Sequence, residues 1–498
     1  MSETDLSKSQ VDIDIAESYK THIAQHLPES ISLESFLAIC ARPLRRAIRV
    51  NTLKISVEDF LVRSQNYPWQ LKSIPWCTEG FWLEDSEYEK LGNHPDHVLG
   101  LFYIQEASSM LPPVALFLDA DPLHATTLDM AAAPGSKTTQ IAAITQNTGI
   151  LVANELSSSR LKSLYANLIR CGVSHSVLTH LDGKHFGEFT PESFDFILLD
   201  APCGGEGTVR KDPNALTHWS LDQVKAMAHV QQSLLRSAIL SLRPGGTLVY
   251  STCTLSPEEN EMVVDALIEE FPSELEAIPL NKAFPGANQA TTKAGYLKIW
   301  PNTFDSEGFF VAKLKKKSST IKAEKKAKLT KTNKLGKFPF EPIDTKNYQL
   351  LRKEAQQAFL LSLDSHQARL WQKDDTLWFF PESIDPFIGS IKMDRIGLKL
   401  ATVHRNGVQF SPEFLVGFNQ QIEGGRYACS LQEANDFLCG KDLRPTQVFD
   451  RSFVVVEYQG FPLGMAKNLG KKLKNKLPRE QVARNPVFDA KDTPGDKS

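Results

Sequence analysis

Between residues 101 and 314, short apolar segments alternate with longer stretches in which apolar residues recur at helical spacing. Short apolar runs between amphipathic helices are typical of a parallel sheet covered by helices on both faces. The pattern therefore predicts an α/β unit over this part of the chain. The strands it predicts are residues 126–130, 150–154, 176–179, 194–199 and 247–251.

Capping residues agree with this placement of the elements. Ser157 or Ser158 can cap a helix that Gly172 ends, and Ser220 can cap a longer helix that stops before a turn at residues 243–246. Ligands of such sheets bind beyond the carboxyl ends of the strands. We therefore expect the chemistry of this chain in the segments that directly follow each strand.

The regions that flank this unit carry weaker patterns. Residues 16–100 precede it, and residues 338–484 follow it with mixed helix and strand patterns. In the second region we predict strands at residues 397–403 and 453–458, the latter ending in a turn at residues 459–460. Because 498 residues are too many for one hydrophobic core, we expect these regions to be separate domains.

Composition excludes several classes of protein. The chain is 41% hydrophobic and 23% charged, which is typical of a globular protein rather than a disordered one. Its N-terminus is polar and acidic, and no apolar run reaches about 18 residues, so we predict a cytoplasmic protein without a membrane span. The seven cysteines include no CxxC pair. We therefore predict free thiols, no disulfide framework and no metal site.

The net charge of -3 hides an uneven distribution of lysine. Residues 313–337 contain eleven lysines and one acid, Glu324, and residues 467–484 form a second basic stretch. Clustered lysine favours contact with nucleic-acid phosphates. A solvated linker and tail would explain the same charges equally well.

The first predicted strand runs into a loop of small residues, AAAPGSK at 131–137, that opens the next helix. Small residues let the backbone approach a ligand closely at a helix N-terminus, and a loop with the single glycine Gly135 suits S-adenosyl-L-methionine better than a dinucleotide. Glu155 follows the second strand and can accept hydrogen bonds from both ribose hydroxyls, while Asp182 follows the third strand, within reach of the adenine amino group. One such acid is more often a cap or a solvated group, but acids at successive strand ends favour a cofactor site.

Two cysteines follow the last two predicted strands. DAPCGGEG at 200–207 follows the fourth strand, and STCT at 251–254 follows the fifth. Because these strands are neighbours in a Rossmann-like methyltransferase sheet, Cys203 and Cys253 should face one cleft beside Asp200. A thiolate that adds to carbon 6 of cytosine makes carbon 5 nucleophilic enough to attack a sulfonium methyl group. Asp200, if burial keeps it protonated, could be the acid that hydrogen-bonds N3, and a second cysteine could assist release of the product.

These segments resemble the Nol/Nop/Sun (Fmu-type) family of RNA (cytosine-5) methyltransferases over about residues 45–314. The matching motifs are RVNTLK at 49–54, QEASS at 105–109, AAAPGSK at 131–137, DAPCGGEGT at 200–208, STCT at 251–254 with EEN at 258–260, and EGFF at 307–310. The resemblance implies a core that uses S-adenosyl-L-methionine, with Cys253 as nucleophile and Cys203 in product release. The cofactor contacts that it implies are Ala131, Ala132, Ala133, Pro134, Gly135, Ser136, Lys137, Glu155, Asp182 and Asp200.

The C-terminal region adds a second resemblance. GFPLG at 460–464, followed by KKLKN at 471–475 and Pro478, resembles the end of a PUA-like RNA-binding domain. The resemblance to family members with this extension implies that the partner is 16S ribosomal RNA in the 30S subunit and that the enzyme is a monomer. Many members have a histidine after Trp300 and Pro301, where this chain has Asn302. The resemblance therefore assigns that position no role in substrate handling.

The predicted fold class is α/β, a Rossmann-like S-adenosyl-L-methionine-dependent methyltransferase core with an N-terminal α+β RNA-binding region and a C-terminal PUA-like domain. The predicted division is a flexible N-terminus (1–15), the N-terminal RNA-binding region (16–100), the methyltransferase domain (101–314), a basic linker (315–337), an α+β connecting domain (338–394), the PUA-like domain (395–484) and a flexible tail (485–498). A tRNA cytosine-5 methyltransferase and a non-catalytic RNA-binding assembly factor are the alternatives. Intact motifs disfavour the second, and an N6-adenine methyltransferase is disfavoured because it needs an (Asp/Asn)-Pro-Pro-aromatic turn.

Overall fold

The computed structural model describes residues 13–84, 91–321, 338–405 and 407–488. The strands within these ranges form four sheets, of which the largest has nine strands. The linker lysines at residues 322–337 lie outside the described residues, as do residues 1–12 and 489–498 of the predicted flexible ends. Among the described helices, none combines the length and the apolar character that crossing a bilayer requires.

The N-terminal region contains a four-stranded antiparallel sheet and four short helices within the described residues. The helices are α1 (Glu17–Ala24), α2 (Leu33–Cys40), α3 (Val57–Ser64) and α4 (Pro95–Val98), and the strands are β1 (Ala47–Val50), β2 (Gln70–Ile74), β3 (Cys77–Glu84) and β4 (Phe102–Ile104). The strand order is β2-β3-β1-β4. Ser32 and Ser56 begin α2 and α3 by accepting a hydrogen bond from a backbone N–H of the first turn.

The central region contains the large sheet. Its strands are β5 (Thr126–Asp129), β6 (Ile150–Asn154), β7 (Ser176–Thr179), β8 (Phe194–Asp200), β9 (Leu242–Thr252), β10 (Leu275–Ile278), β11 (Leu297–Ile299) and β12 (Phe309–Lys316). Its helices are α5 (Leu111–Phe117), α6 (Ser136–Ile144), α7 (Ser158–Cys171), α8 (Phe186–Phe189), α9 (Leu221–Ser241), α10 (Glu261–Glu270) and α11 (Pro301–Phe304). Strands β7-β6-β5-β8-β9 run parallel in that order, and β12 follows β9 antiparallel.

The five strands predicted in this region are confirmed, and so are the helix caps at Ser157, Gly172 and Ser220. The predicted turn at residues 243–246 is wrong, because β9 already begins at Leu242. The pairing of β8 with β9 jumps between two registers there, so residues 243–246 bulge out of the ladder. Gly245, with a φ of 82°, supplies the left-handed backbone conformation that this bulge needs.

Helices pack on both faces of the large sheet, as the apolar strands predict. Side chains of β8 and β9 alternate between two cores: Leu198 and Val249 belong to one, and Ile197 and Leu248 belong to the other. Because both faces are buried, the polar side chains of these strands emerge at the strand ends. The functional groups are therefore concentrated at the carboxyl edge of the sheet.

The C-terminal region forms two further sheets. Its elements are β13 (Glu341–Pro342), α12 (Thr345–Phe359), β14 (Leu370–Lys373), β15 (Thr376–Phe379), β16 (Arg395–Ile396), β17 (Leu398–His404), β18 (Gly407–Phe410), α13 (Glu413–Phe418), β19 (Arg426–Ala428), α14 (Leu431–Leu438), β20 (Phe453–Tyr458), β21 (Phe461–Asn468) and β22 (Leu473–Asn475). The predicted strand at 453–458 is confirmed, and the one at 397–403 lies one residue further along, at β17. The turn between β20 and β21 has positive φ at both Gln459 and Gly460.

The two C-terminal sheets divide the chain after α13. One sheet has the order β13-β14-β15-β17-β18 and the other the order β19-β20-β21-β22. The boundary predicted between residues 394 and 395 separates β17 from β15, with which it pairs. The short strand β16 instead extends the large central sheet beyond β7. The other domain ranges stay a prediction.

The RVNTLK motif at residues 49–54 fastens the N-terminal sheet to the central region. Asn51 Nδ2 donates to the carbonyl oxygens of Gly100 at 2.7 Å and Cys171 at 2.8 Å, and Lys54 Nζ donates to that of Arg170 at 2.7 Å. Both Arg170 and Cys171 lie in the last turn of α7, where backbone carbonyls have no partner within the helix. Side chains of the N-terminal region therefore complete a helix of the central region.

Candidate active site

Two cysteine thiols meet at the carboxyl edge of the large sheet. Cys203 lies three residues beyond β8 and Cys253 directly follows β9, and the ends of these parallel strands pair through Asp200 and Ser251. The two Sγ atoms are 3.1 Å apart, and both side chains are partly exposed. The structure thus brings the two predicted thiols together. Their separate roles stay a prediction.

The Cys203 thiol has a pKa well above its usual range. The largest cause is the hydrogen bond between its Sγ and the Sγ of Cys253, followed by burial and by the negative charges of neighbouring groups. A thiol with a raised pKa keeps its proton at neutral pH. A protonated Cys203 thiol can donate this hydrogen bond to Cys253 Sγ.

The buried carboxylate of Glu206 holds the loop that carries Cys253. It accepts hydrogen bonds from the backbone N–H groups of Leu255 at 3.0 Å and Ser256 at 2.8 Å, from the Ser256 hydroxyl at 2.5 Å, and from Trp219 Nε1 at 2.6 Å. The backbone N–H of Gly207 also donates to the carbonyl oxygen of Cys253 at 2.9 Å. The two motif loops are thus locked to each other around the thiols. Sequence reasoning missed this role of Glu206.

A second carboxyl group, Glu259, fixes the segment that carries Cys203. It accepts a hydrogen bond from the Gly204 N–H at 3.0 Å and another from Gln231 Nε2 at 2.6 Å. Burial raises the pKa of Glu259 to about 7. The sequence flagged this residue only as part of the EEN motif, so its contact with the other thiol loop was not predicted.

Asp200 lies beside the thiols in an ion pair. Lys137 Nζ is 2.7 Å from Asp200 Oδ2 and 2.9 Å from Ser109 Oγ, and the Ser251 hydroxyl donates to Asp200 Oδ1 at 2.7 Å. Burial, the largest single cause, lowers the pKa of Lys137, but the charge and hydrogen bond of Asp200 together with the charges of Cys253 and Asp129 outweigh it, and the pKa is raised. The sequence predicted Lys137 as a cofactor contact and Asp200 as a buried acid. In the structure the two residues pair, and the Asp200 side chain is 29% exposed.

The predicted cofactor residues occupy adjacent strand ends. In the order of the sheet, Asp200 ends β8, the 131–137 loop follows β5, Glu155 follows β6, and Asp182 follows β7. Gly135, with a φ of 107°, begins α6 without a side-chain cap from the described residues. The first backbone N–H groups of that helix are therefore free to approach a ligand.

The two outer acids, Glu155 and Asp182, each use one carboxylate oxygen in a local hydrogen bond. Glu155 Oε1 accepts from the Ser157 N–H at 2.8 Å, whereas its Oε2 has only a 3.6 Å contact with the exposed side chain of Arg160. Asp182 Oδ1 caps a short 3₁₀ turn by accepting from the Lys184 N–H at 3.1 Å. Each acid thus leaves one carboxylate oxygen available at the edge of the cleft, which fits a ligand with hydroxyl and amino groups.

Two more acids line the site and were missed as functional residues. The backbone N–H of Glu307 donates to Glu106 Oε1 at 3.1 Å, and burial, followed by the charge of Glu106, raises the pKa of Glu307 to about 8. Lys137 is one of the cations that oppose this rise. The QEASS and EGFF motifs contain these residues, but sequence spacing gives no sign that they meet.

Asn302, at the position where the family pattern has histidine, has a structural contact. Its Nδ2 donates to the carbonyl oxygen of Ser35 at 3.1 Å and so joins α11 to α2. The contact explains how an amide is accommodated at this position.

Family models match most of the chain. The model described as 16S rRNA methyltransferase RsmB/F matches residues 115–315, and the N-terminal domain of 16S rRNA methyltransferase RsmF matches residues 15–107. The pre-PUA domain of ribosomal RNA small subunit methyltransferase F matches residues 340–418, and the methyltransferase RsmF PUA domain matches residues 426–482. The last two ranges meet between α13 and β19, where the two C-terminal sheets divide.

Curated relatives match along nearly their whole length. Ribosomal RNA small subunit methyltransferase F of Aeromonas hydrophila is 48% identical over 94% of this chain and 97% of its own. The protein of the same name from Shewanella frigidimarina is 46% identical over 93% and 97%. The solved structure of NSun6 from Pyrococcus horikoshii with SFG matches 61% of this chain and 99% of its own, with a TM-score of 0.53 and 24% identity. This last similarity shows the fold alone.

Proposed function

The chain belongs to the ribosomal RNA small subunit methyltransferase F family, and we propose that it methylates carbon 5 of a cytosine in 16S ribosomal RNA with S-adenosyl-L-methionine. The observation that carries the proposal is the pair of thiols 3.1 Å apart beside the Asp200–Lys137 ion pair. Methyl transfer to a nitrogen or an oxygen needs no covalent thiol adduct, whereas transfer to carbon 5 of a pyrimidine does.

S-adenosyl-L-methionine supplies an electrophilic methyl group when it is bound. Residues 131–137 would hold it at the N-terminus of α6, and Glu155 and Asp182 would accept hydrogen bonds from its ribose and adenine groups. The fit rests on the uncapped helix at Gly135 and on the available carboxylate oxygens of the two acids.

Cys253 is the nucleophile in this proposal. Its Sγ adds to carbon 6 of the cytosine as the thiol proton passes by way of the Asp200 carboxylate to N3, so that negative charge does not build up on the ring. Carbon 5 then carries the electron pair that takes the methyl group. Lys137 holds the Asp200 carboxyl in place and keeps a positive charge beside the ring.

Cys203 assists the second half of the reaction. A base takes the proton from carbon 5, and the electrons left behind re-form the C5–C6 double bond and expel the Cys253 thiolate. A protonated thiol that donates a hydrogen bond to the departing sulfur stabilises the thiolate as it leaves. The raised pKa of Cys203 supports this role, because only the protonated thiol can donate.

The substrate is proposed from the relatives and the C-terminal match. The curated relatives are named for the ribosomal RNA of the small subunit, and residues 426–482 match a PUA domain. We propose 16S ribosomal RNA within the 30S subunit as the partner of a monomeric, cytoplasmic enzyme. Glu206 and Glu259 are positioning residues in this proposal, since each holds a thiol loop through hydrogen bonds within the chain.

Bisulfite sequencing of ribosomal and transfer RNA from cells with and without the gene tests the proposal. We expect one 5-methylcytosine of 16S ribosomal RNA to disappear and to return with the wild-type gene. Cys253→Ser should not restore it, whereas Cys439→Ser, which changes a partly exposed thiol at the end of α14, should. Loss of a transfer-RNA modification instead, or full restoration by Cys253→Ser, would overturn the proposal.

A further inference from the structure

Two histidines and a glutamate meet on the far side of the thiol loop. His22 lies in α1 and His26 lies just beyond its end, four residues on, so both imidazoles project from one side of the chain. Their ring centroids are 4.8 Å apart. Glu258 reaches them from the segment that follows Cys253. The nearest ligand atoms of the three residues all lie within 4.8 Å of one another.

Two atoms of this group face each other without a hydrogen bond. His22 Nε2 and Glu258 Oε2 are 3.3 Å apart, both are shielded from solvent, and neither has a hydrogen-bond partner among the described residues. The Trp219 ring covers His22, with ring centroids 5.1 Å apart. Such a pair costs free energy unless a proton on the imidazole makes it an ion pair or a metal ion lies between the two atoms.

The spacing is compatible with a metal ion as well as with an ion pair. Zn²⁺ binds His nitrogen and carboxylate oxygen at about 2.0–2.2 Å, and two ligands of a tetrahedral ion at that bond length lie about 3.3–3.6 Å apart. The 3.3 Å separation of His22 Nε2 and Glu258 Oε2 falls in this range, whereas the group as a whole, whose ligand atoms lie within 4.8 Å of one another, would have to contract on binding. We propose that His22, His26 and Glu258 bind one divalent transition-metal ion of the zinc class, with water as the fourth ligand.

The chemistry of the surroundings agrees with a cation at this position. The nearby cation, Lys298, forms an ion pair with Glu261 at 3.1 Å, so its charge is balanced. Two imidazoles and one carboxylate suit Zn²⁺ and its neighbours, whereas Mg²⁺ and Ca²⁺ prefer oxygen ligands alone.

The site has a structural consequence for the thiol loop. The ion would join α1 to Glu258, and the next residue, Glu259, holds the Gly204 N–H beside Cys203. It would therefore fix the position of the segment that links the two thiol loops. The prediction of no metal site rested on the spacing of the cysteines. Sequence spacing could not reveal this site, because the two histidines lie far from Glu258 along the chain.

Competition with a chromophoric zinc chelator tests the proposal on the full chain after removal of metal. We expect one tightly bound Zn²⁺ per chain, and binding at least about tenfold weaker in His22→Ala and in His26→Ala. His185→Ala is the matched control, since His185 is 55% exposed and contacts only its helical neighbours Glu188 and Phe189 among the described side chains. Equal binding by wild type and the double variant His22→Ala, His26→Ala would overturn the proposal.

Two further measurements separate this site from the thiol pair and from misfolding. Bound Co²⁺ should give visible bands of a nitrogen and oxygen site without sulfur charge-transfer absorption, and Cys253→Ser should leave the stoichiometry unchanged. Zn²⁺ should raise the thermal midpoint of the wild type but not of His26→Ala, whose midpoint without metal shows that it folds. Sulfur charge transfer, or loss of the bound ion in Cys253→Ser, would place the metal on the thiols and refute the site.

Discussion

Replacing Glu206 by glutamine should lower the free energy of unfolding by about 2–4 kcal/mol, although the two side chains have nearly the same shape. The carboxylate is 1% exposed and serves only as an acceptor, for two backbone N–H groups, one hydroxyl and the Trp219 indole N–H. The amide of glutamine has one acceptor oxygen. If that oxygen keeps the two backbone donors, the NH₂ group of the glutamine faces the Ser256 hydroxyl and the indole N–H. The hydroxyl can accept a hydrogen bond from the NH₂ group, whereas the indole N–H cannot. The unpaired indole costs about 1–3 kcal/mol, and loss of the charge weakens the remaining bonds by about 1 kcal/mol more.

Urea unfolding of four chains measures this: wild type, Glu206→Gln, Trp219→Phe and the double variant. Phenylalanine has no N–H, so Glu206→Gln should cost about 1–3 kcal/mol less in the Trp219→Phe background. Glu188→Gln is the control for an exposed glutamate and should change stability by less than about 0.5 kcal/mol. Equal costs of Glu206→Gln in both backgrounds, or a cost no larger than that of the control, would refute the reasoning.

The remaining predictions concern the two thiols, Glu259 and the linker lysines. Cys253→Ser should abolish methylation of 30S subunits yet keep cofactor affinity, and near-normal activity would remove this residue as the nucleophile. Cys203→Ala should accumulate a covalent protein–RNA adduct on denaturing gels, because release is slowed; a gel without adduct would contradict its role. The raised pKa of Glu259, about 7, means that its contribution to stability is present at low pH and lost as the pH rises through 7. Between pH 5 and 8 the urea midpoint of Glu259→Gln should therefore rise relative to the urea midpoint of the wild type. A gap that does not change with pH would refute this. Neutralising the lysines of residues 315–337 should weaken binding to ribosomal and transfer RNA alike and flatten its salt dependence; unchanged affinity would make the segment a spacer.

Local patterns predicted the central sheet well, because strands buried on both faces leave uninterrupted apolar runs. The meeting of Cys203 and Cys253 was also predictable, since the carboxyl ends of neighbouring parallel strands share one edge of a sheet. The turn at residues 243–246 was misread because Pro-Gly-Gly is typical both of a turn and of a bulge within a strand. Only the pairing of β8 with β9 distinguishes the two.

The hydrogen-bond partners of the carboxylates in these loops could not be predicted. Glu206 and the Ser256 N–H are 50 residues apart in the chain, and a carboxylate in a loop gives no sign of its donors. The pairing of Lys137 with Asp200 likewise depends on β5 lying beside β8. The roles of both cysteines and of Asp200 stay predictions, because a distance between atoms does not show which group attacks and which one releases.

The hold of Asn51 and Lys54 on the end of α7 bears on how this enzyme can be cut or recombined. A chain shortened to begin at residue 101 would strip the carbonyl oxygens of Arg170 and Cys171 of the donors that they have in the intact protein. Water would replace those donors, so each lost hydrogen bond would weaken the remaining piece by about 0.5–1.5 kcal/mol. Chimeras between relatives should therefore carry residues 49–54 and α7 together from the same parent, as one inherited module.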